Sequence, residues 1–347
     1  MIRKNLKGIL LCFVLSLPAF YLGTLFPIVG APIFAILIGI ILAKVFNKNK
    51  NLSSGIQFNS KKVLQYAVIL LGFGLNLNTV VRVGIESLPI IISTISISLI
   101  TAYALYKILQ VPANSSILIG VGSSICGGSA IAATAPIINA KQQEIAQAIS
   151  VVFFFNLIAA LIFPALGSIL NLTNHGFALF SGTAVNDTSS VTATASSWDS
   201  MYHTGTKVLD EATIVKLTRT LAIIPITVIL GIYQAKKSSK AHKLNIKSAF
   251  PMFILYFIIA SLFTTMLSYI IDNNYIAVQS AELITSFFAL MKFLSKFFII
   301  MAMIAIGLNT DIVKLLKSGG KMLLMGFCCW VAISFVSLAM QYLLGIL

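Results

Sequence analysis

Acidic side chains are what this chain most lacks. Nine Asp and Glu stand against 24 Lys and Arg in 347 residues, and all charged residues together make up 10%. A soluble domain usually carries about 25%, so the chain has too little polar surface to face water on all sides. Histidine and tryptophan are as scarce, with three and two copies. The four cysteines (Cys12, Cys126, Cys328, Cys329) fall in apolar runs with no CxxC spacing and no histidine nearby. That pattern supports neither a metal site nor a disulfide framework. Long low-complexity tracts and soluble inserts are missing too. The formal charge of +15 has no basic face with interleaved aromatics behind it, so nucleic acid is not an expected partner.

What fills the chain instead is hydrocarbon. Hydrophobic residues make up 58%, and the mean hydropathy is +0.99. Runs of about 20 apolar residues, the length that crosses a bilayer core as a helix, recur from end to end. The reading is an all-α polytopic membrane protein, since helices satisfy their own backbone hydrogen bonds in lipid. Eleven candidate spans lie near 6–26, 28–46, 63–81, 87–109, 115–138, 145–170, 176–197, 213–234, 249–271, 293–312 and 321–346. The first is read as a retained helix, because no small-x-small cleavage site follows it.

With the N-terminus cytoplasmic, 17 of the 24 basic residues fall on the inner side. The outer side receives Arg82, Lys141, Lys207, Lys216, Arg219, Lys292 and Lys296. The positive-inside rule then places the N-terminus inside and the C-terminus outside. Residues 47–62 and 235–248 read as solvated cytoplasmic loops, 198–212 as a polar connection, and 272–296 as the start of an interfacial amphipathic helix. The whole chain, 1–347, is one integral membrane transporter domain. Paired segments, "GFGLNLNTVVRVG" with "AIGLNTDIVKLLKSG" and "CGGSAIAATAP" with "NDTSSVTATAS", suggest repeat halves near 28–170 and 176–346.

Two runs carry weak helix formers at mid-length. In "SSICGGSAIAATAP" (123–136), Gly127 and Gly128 each cost about 1 kcal/mol relative to alanine in a helix. Ser123, Ser124 and Ser129 can bond the backbone in competition with helical pairing. A break near Cys126–Gly128 leaves a half-helix starting at Ser129, whose first N–H groups lack partners and carry partial positive charge, a seat for an anion. Ser123, Ser124, Cys126, Gly127, Gly128 and Ser129 are therefore the substrate-binding candidates. The competing reading is close packing of helices through small residues.

In "GFALFSGTAVNDTSSVTATASS" (176–197), Asp187 is the acid most clearly inside a span. A carboxylate at mid-bilayer costs at least about 2.5 kcal/mol on insertion scales, so such groups usually line an ion path. Asn186, Asp187, Thr188, Ser189 and Ser190 form the coupling-ion candidates. Two alternatives stand beside this: Asp187 as the N-cap of a half-helix "TSSVTATA", or 182–200 as an extracellular loop. Asn76, Asn78, Asn309 and Asp311 lie near helix ends, where asparagine caps as readily as it binds. Asn76 joins the substrate set and Asn309 the coupling-ion set.

"GAPIFAILIGI", "LGFGLNL", "SSICGGSAIAATAP" and "GTAVNDTSSV" together resemble the YeiH-type bacterial membrane protein family, whose members carry the label of sulfate exporters. The likeness covers essentially the full chain. The order "GLNL", a helix, then "CGGS" is also similar to bile acid:sodium symporters and their antiporter relatives. The resemblance implies an inverted repeat with discontinuous crossing helices, a core beside a panel domain, and elevator-like motion in a bacterial inner membrane. It departs at Asn186-Asp187, where the family often has a His-Glu-like pair, which leaves sodium coupling or uncoupled exchange open.

The expected function is secondary transport of a small anion, sulfate-like or sulfonate-like, with Na+ or H+ as coupling ion and no other cofactor. A cation/proton antiporter exchanging at Asp187 is the alternative. An intramembrane serine enzyme is remote, since no histidine lies in a serine-rich span. Expected partners are the anion and the lipid bilayer, with a homodimer left open.

Overall fold

A computed structural model describes residues 2–26, 31–46, 50–237, 252–273, 278–310 and 320–346, and these residues are helical with short connections. Among the described residues, seven helical stretches are long and apolar enough to cross a membrane. The other expected spans are a shorter apolar helix and three runs interrupted by breaks. The all-α polytopic reading holds. Packing divides the chain into two compact units, residues 1–83 with 196–210 and 251–311, and residues 84–195 with 211–250 and 312–347.

The first unit holds α1 (Ile2–Leu25), α2 (Ala31–Phe46), α3 (Lys50–Phe58), one π-helical turn (Asn59–Val63), α4 (Leu64–Leu71), α13 (Met252–Asp272) and α14 (Val278–Asn309). Its helices meet through glycine. A Cβ added at Gly39 would lie 2.5 Å from the Ile304 carbonyl, and one at Gly307 would lie 2.4 Å from that of Ile36. In lipid, where apolar contact with a neighbour gains nothing over apolar contact with solvent, such close approach is what holds helices together.

The same device corrects the loop expected at 47–62. Residues 50–63 are helical, Ile56 and Asn59 are buried, and Gly55 packs on Gly8 of α1. "SSG" there is a packing surface. Residues 47–49 lie outside the described residues. Within the stretch 272–296, residues 278–296 belong to one continuous helix, 278–309, and residues 274–277 lie outside the described residues.

The second unit contains most of α5 (Leu77–Leu109), then α6 (Ala113–Ser124), α7 (Gly128–Thr134), α8 (Gln142–Ile169), α9 (Asn174–Ala184), the start of α10 (Thr188–Tyr202), most of α11 (Lys207–Thr220), α12 (Ile223–Lys237) and α15 (Gly320–Leu343). Breaks occur where the weak helix formers stand, between α6 and α7 and between α9 and α10. Beyond what the sequence indicated, each broken run folds back.

At the first break, a Cβ on Gly122 of α6 would meet Ile131 of α7 at 2.8 Å. Asn114 at the start of α6 donates to Glu144 at the start of α8 (3.2 Å), so the α6–α7 hairpin opens and closes at the same end of α8. The α9–α10 hairpin behaves likewise at the opposite end. His175 on the first turn of α9 contacts Glu211 on the first turns of α11 (2.7 Å), and α11 follows α10 after a connection of residues 203–206. The 28 residues of α8 separate the two mouths by about 42 Å.

The polar connection expected at 198–212 shrinks to those few residues because Asp199 caps α11. Its carboxylate accepts the Val208 and Leu209 N–H groups at 3.1 and 2.9 Å, satisfying two otherwise orphaned donors.

α9 and α11 run side by side with their backbones almost touching. A Cβ on Gly182 would lie 2.6 Å from Val215 Cβ and 2.9 Å from the Ala212 carbonyl. Gly182→Ala is expected to lower stability by about 1–3 kcal/mol through overpacking, read as a reduced melting temperature in detergent. An unchanged melt would show that the two helices can part freely.

Candidate functional site where two helix breaks meet

Each break strands the last carbonyls of a helix. Buried in hydrocarbon, such groups must find donors. Lys216 and Arg219, one turn apart on α11 and both 0% exposed, provide them.

Lys216 Nζ donates to the Ile125 carbonyl (2.6 Å), the Val185 carbonyl (3.3 Å) and the Asn186 carbonyl. Arg219 donates from Nε to Ser124 O (2.8 Å), from Nη2 to Ser123 O (3.0 Å) and Asn186 Oδ1 (3.2 Å), and from Nη1 to Val185 O (3.3 Å). Two cations thus tie the C-terminal end of α6 to that of α9. Positive charge at helix C-termini is also favoured by the backbone dipoles.

The substrate-set residues 123–129 gather here. Ser123, Ser124 and Cys126 are buried, and the two serines contribute carbonyls to Arg219 while the Ser124 hydroxyl donates to Val121 O (3.0 Å). Gly127 adopts φ +65°, ψ −125°, a conformation closed to residues with a Cβ. Gly128 is half-exposed and Ser129 exposed. A Cβ added at Gly128 would meet no heavy atom within 4 Å, so the backbone entering α7 borders open space.

The coupling-ion set meets the same point. Asn186 is buried, and its N–H donates to Asn156 Oδ1 of α8 (2.9 Å). Asp187 is half-exposed, and its Oδ2 accepts from the Ser189 N–H (3.0 Å) and the Ser189 hydroxyl. The N-cap alternative therefore describes its geometry, and 188–202 is helix where a loop was the other option. Thr188 is half-exposed, and Ser189 and Ser190 are buried, with Ser190 O accepting from Thr194 Oγ1 (2.7 Å).

Asn76 and Asn309 belong to the other unit. Both are exposed; Asn76 Oδ1 caps α5 through Asn78 N (2.8 Å), and Asn309 ends α14. Asp311 lies outside the described residues.

Charge counting places Lys216 and Arg219 on the outer surface, and the structure corrects this: both side chains, on α11, are buried. The signal was present as two cations spaced by three within the apolar run 213–234, which in a membrane helix marks interior contacts. Asn156, alone in an apolar stretch, carried no comparable signal.

A family model described as "Conserved hypothetical protein 698" matches residues 7–326. The chain belongs to the UPF0324 membrane protein family. It is 63% identical over 344 residues to a UPF0324 membrane protein of Fusobacterium nucleatum, covering 99% of each chain. A relative from Streptococcus pyogenes serotype M3 is 57% identical over 346 residues, covering 99% of this chain and 98% of its own. One from Streptococcus agalactiae serotype V is 56% identical over 343 residues, with the same coverage. The YeiH-type resemblance is thereby borne out, and this UPF0324 chain is a membrane protein.

Replacing Arg219 by Met leaves the carbonyls of Ser123 and Ser124 and the Asn186 Oδ1 without the donors that Arg219 supplies. Each unpaired buried group costs about 1–3 kcal/mol, so Arg219→Met and Lys216→Met are expected to melt far below wild type, with Arg219→Lys in between. Melting temperatures equal to wild type would show that the breaks do not need the cations.

Proposed function

We propose that this UPF0324 protein is a secondary-active transporter of a small anion, working by elevator-type alternating access. The observation that carries the reading is the meeting of two helix breaks held by Lys216 and Arg219 beside the open approach to Gly128. Irregular backbone at membrane depth is tolerated only inside protein or along a watery cavity, and in secondary transporters it forms the binding site.

Charge favours an anion. The C-terminal ends of α6 and α9 carry roughly half a negative charge each, and the starts of α7 and α10 offset these with partial positive charge, so the two cations outweigh the single Asp187 carboxylate. Because both cations are already occupied by carbonyls and the Gly127 N–H donates to Gly122 O (2.9 Å), the anion is assigned to the N–H groups of Gly128 and Ser129 and the Ser129 hydroxyl. The sulfate-like or sulfonate-like class comes from the family resemblance. Asp187 with Asn186 and Ser189 is assigned the coupling ion, Na+ or H+. Hairpins entering from opposite ends are what an inverted repeat would build, and both breaks lie in one of the two units, as an elevator requires.

The hairpins also revise the charge count for a bacterial inner membrane. The first hairpin returns to the end at which it began, so Lys141 joins Lys107 on the inner side. Lys216 and Arg219 leave the outer count altogether. Two runs that turn back leave the parity of crossings unchanged, so the N-terminus stays inside and the C-terminus outside with a stronger positive-inside bias.

The competing reading, a cation/proton antiporter, draws on the half-exposed Asp187 carboxylate at the break. Sulfate and methanesulfonate uptake into proteoliposomes, under imposed sodium or proton gradients, decides between the two. Anion flux is expected for wild type, and Gly128→Val should abolish it while leaving the protein folded, since an added Cβ meets no heavy atom within 4 Å. Asp187→Asn and Asp187→Ser both keep a capping side chain but no charge, and are expected to remove only the ion dependence. Sodium-driven pH changes without anion flux would instead favour the antiporter, and ion-dependent flux persisting in Asp187→Asn would remove Asp187 from the coupling role.

A further inference from the structure

At the opposite end of α9 from the break, His175 stands between two carboxylates. Its Nδ1 lies 2.7 Å from Glu211 Oε2 on α11 and its Nε2 lies 3.1 Å from Glu86 Oε1 on α5. An ionised carboxylate only accepts, and a neutral imidazole has a single N–H. Both contacts are hydrogen bonds only when the ring carries two protons, so the arrangement fits the imidazolium and loses one contact when a proton leaves. The three side chains are 35%, 38% and 24% exposed for His175, Glu86 and Glu211, open enough to exchange protons with water.

The surroundings hold little that could substitute. α9 has no other charged residue. On α15 the residue reaching this end is the neutral Gln341, whose amide lies against Gly176 and Phe180, and the one charge of that helix, Lys321, is at its far end. Along α5 the nearest charge to Glu86 is Arg82, and along α11 Glu211 is flanked by Asp210 and Lys207. Thr206 Oγ1 donates to the Asp210 carboxylate (3.0 Å).

α9 and α11 are pinned at two places. His175–Glu211 ties them at the mouth of the hairpin, and Lys216 with Arg219 holds the Val185 and Asn186 carbonyls about 15 Å further along α9. Between these points Gly182 sits against Ala212 and Val215. A change at the mouth therefore reaches the break through a short, closely packed pair of rods.

We propose that His175, Glu86 and Glu211 form a proton-binding site that clamps the mouth of the α9–α10 hairpin, and that proton release there loosens α9 and controls transport. The proton-binding part stands by itself, whereas the control of transport rests on the function proposed above.

Purified full-length protein in detergent is melted from about pH 5.5 to about pH 9, bracketing histidine titration, as wild type, His175→Gln and Glu86→Gln. The folded state that holds the extra proton is favoured at low pH, so the wild-type melting temperature should fall as pH rises through the imidazolium titration. His175→Gln should lose that slope, and Glu86→Gln, which keeps the shorter Glu211 contact, should reduce it. A His175→Gln protein that keeps the wild-type slope overturns the site, and Glu86→Gln carries the same comparison if His175→Gln does not fold.

Sulfate flux over the same pH range tests the second part. A pH-dependent wild type beside a flat His175→Gln profile is expected. A variant reduced equally at every pH makes His175 purely structural and overturns the control of transport. Wild type that moves no sulfate at any pH removes the transport reading and the control with it, while the melts still decide whether the proton site exists.

Discussion

Everything in the second unit depends on how the carbonyls stranded at two helix ends are satisfied where water does not reach. Four backbone oxygens at the end of α6 and α9, with one further carbonyl from Asn186 and one amide oxygen, would be intolerable in hydrocarbon. One helix, α11, solves the problem for both breaks by placing a lysine and an arginine one turn apart. The two side chains divide the work according to their shapes. The guanidinium spans a planar fork and reaches oxygens on both helices, while the ammonium serves three carbonyls converging on a point. The consequence is that α11 fixes the distance between the hairpin tips.

That arrangement explains why the local sequence is so permissive of small residues. Gly122 admits Ile131 against α6, Gly127 supplies the left-handed turn, and Gly182 lets α9 approach α11. Each would be a defect in an isolated helix, where glycine costs about 1 kcal/mol relative to alanine. Here each removes a steric obstacle to bringing the tips within reach of the two cations.

How much of this could be read from the sequence follows from which interactions are local. The breaks themselves were visible, because Gly127-Gly128 and Asn186-Asp187-Thr188 alter helix propensity within their own stretch. The Asp187 cap was visible for the same reason. The folding back of the two runs was not, since a run of 24 residues with a break in it has the same composition whether it crosses or returns; only the contact of Asn114 with Glu144 and of His175 with Glu211 separates the two paths. "NLSSGIQFNSKK" misled because polar composition was taken as solvation, whereas Ser54 and Gly55 pack against α1. Lys216 and Arg219 were visible but misassigned, because charge counting treats every cation near a span end as surface.

The occupation of the two cations also constrains what the site can recognise. In the proposed function, an anion at the break would leave several buried oxygens unsatisfied if it displaced Lys216 or Arg219 from their carbonyls, so the cations would act at a distance, through the potential they impose. Direct contacts must come from groups that the fold leaves available, and at this point those are the backbone entering α7 and the Ser129 hydroxyl. Recognition by backbone N–H groups suits a compact anion with several equivalent oxygens better than an extended one, because the donors at a helix start converge on a small volume. The preference for a compact substrate in the proposed function thus follows from the way the breaks are neutralised.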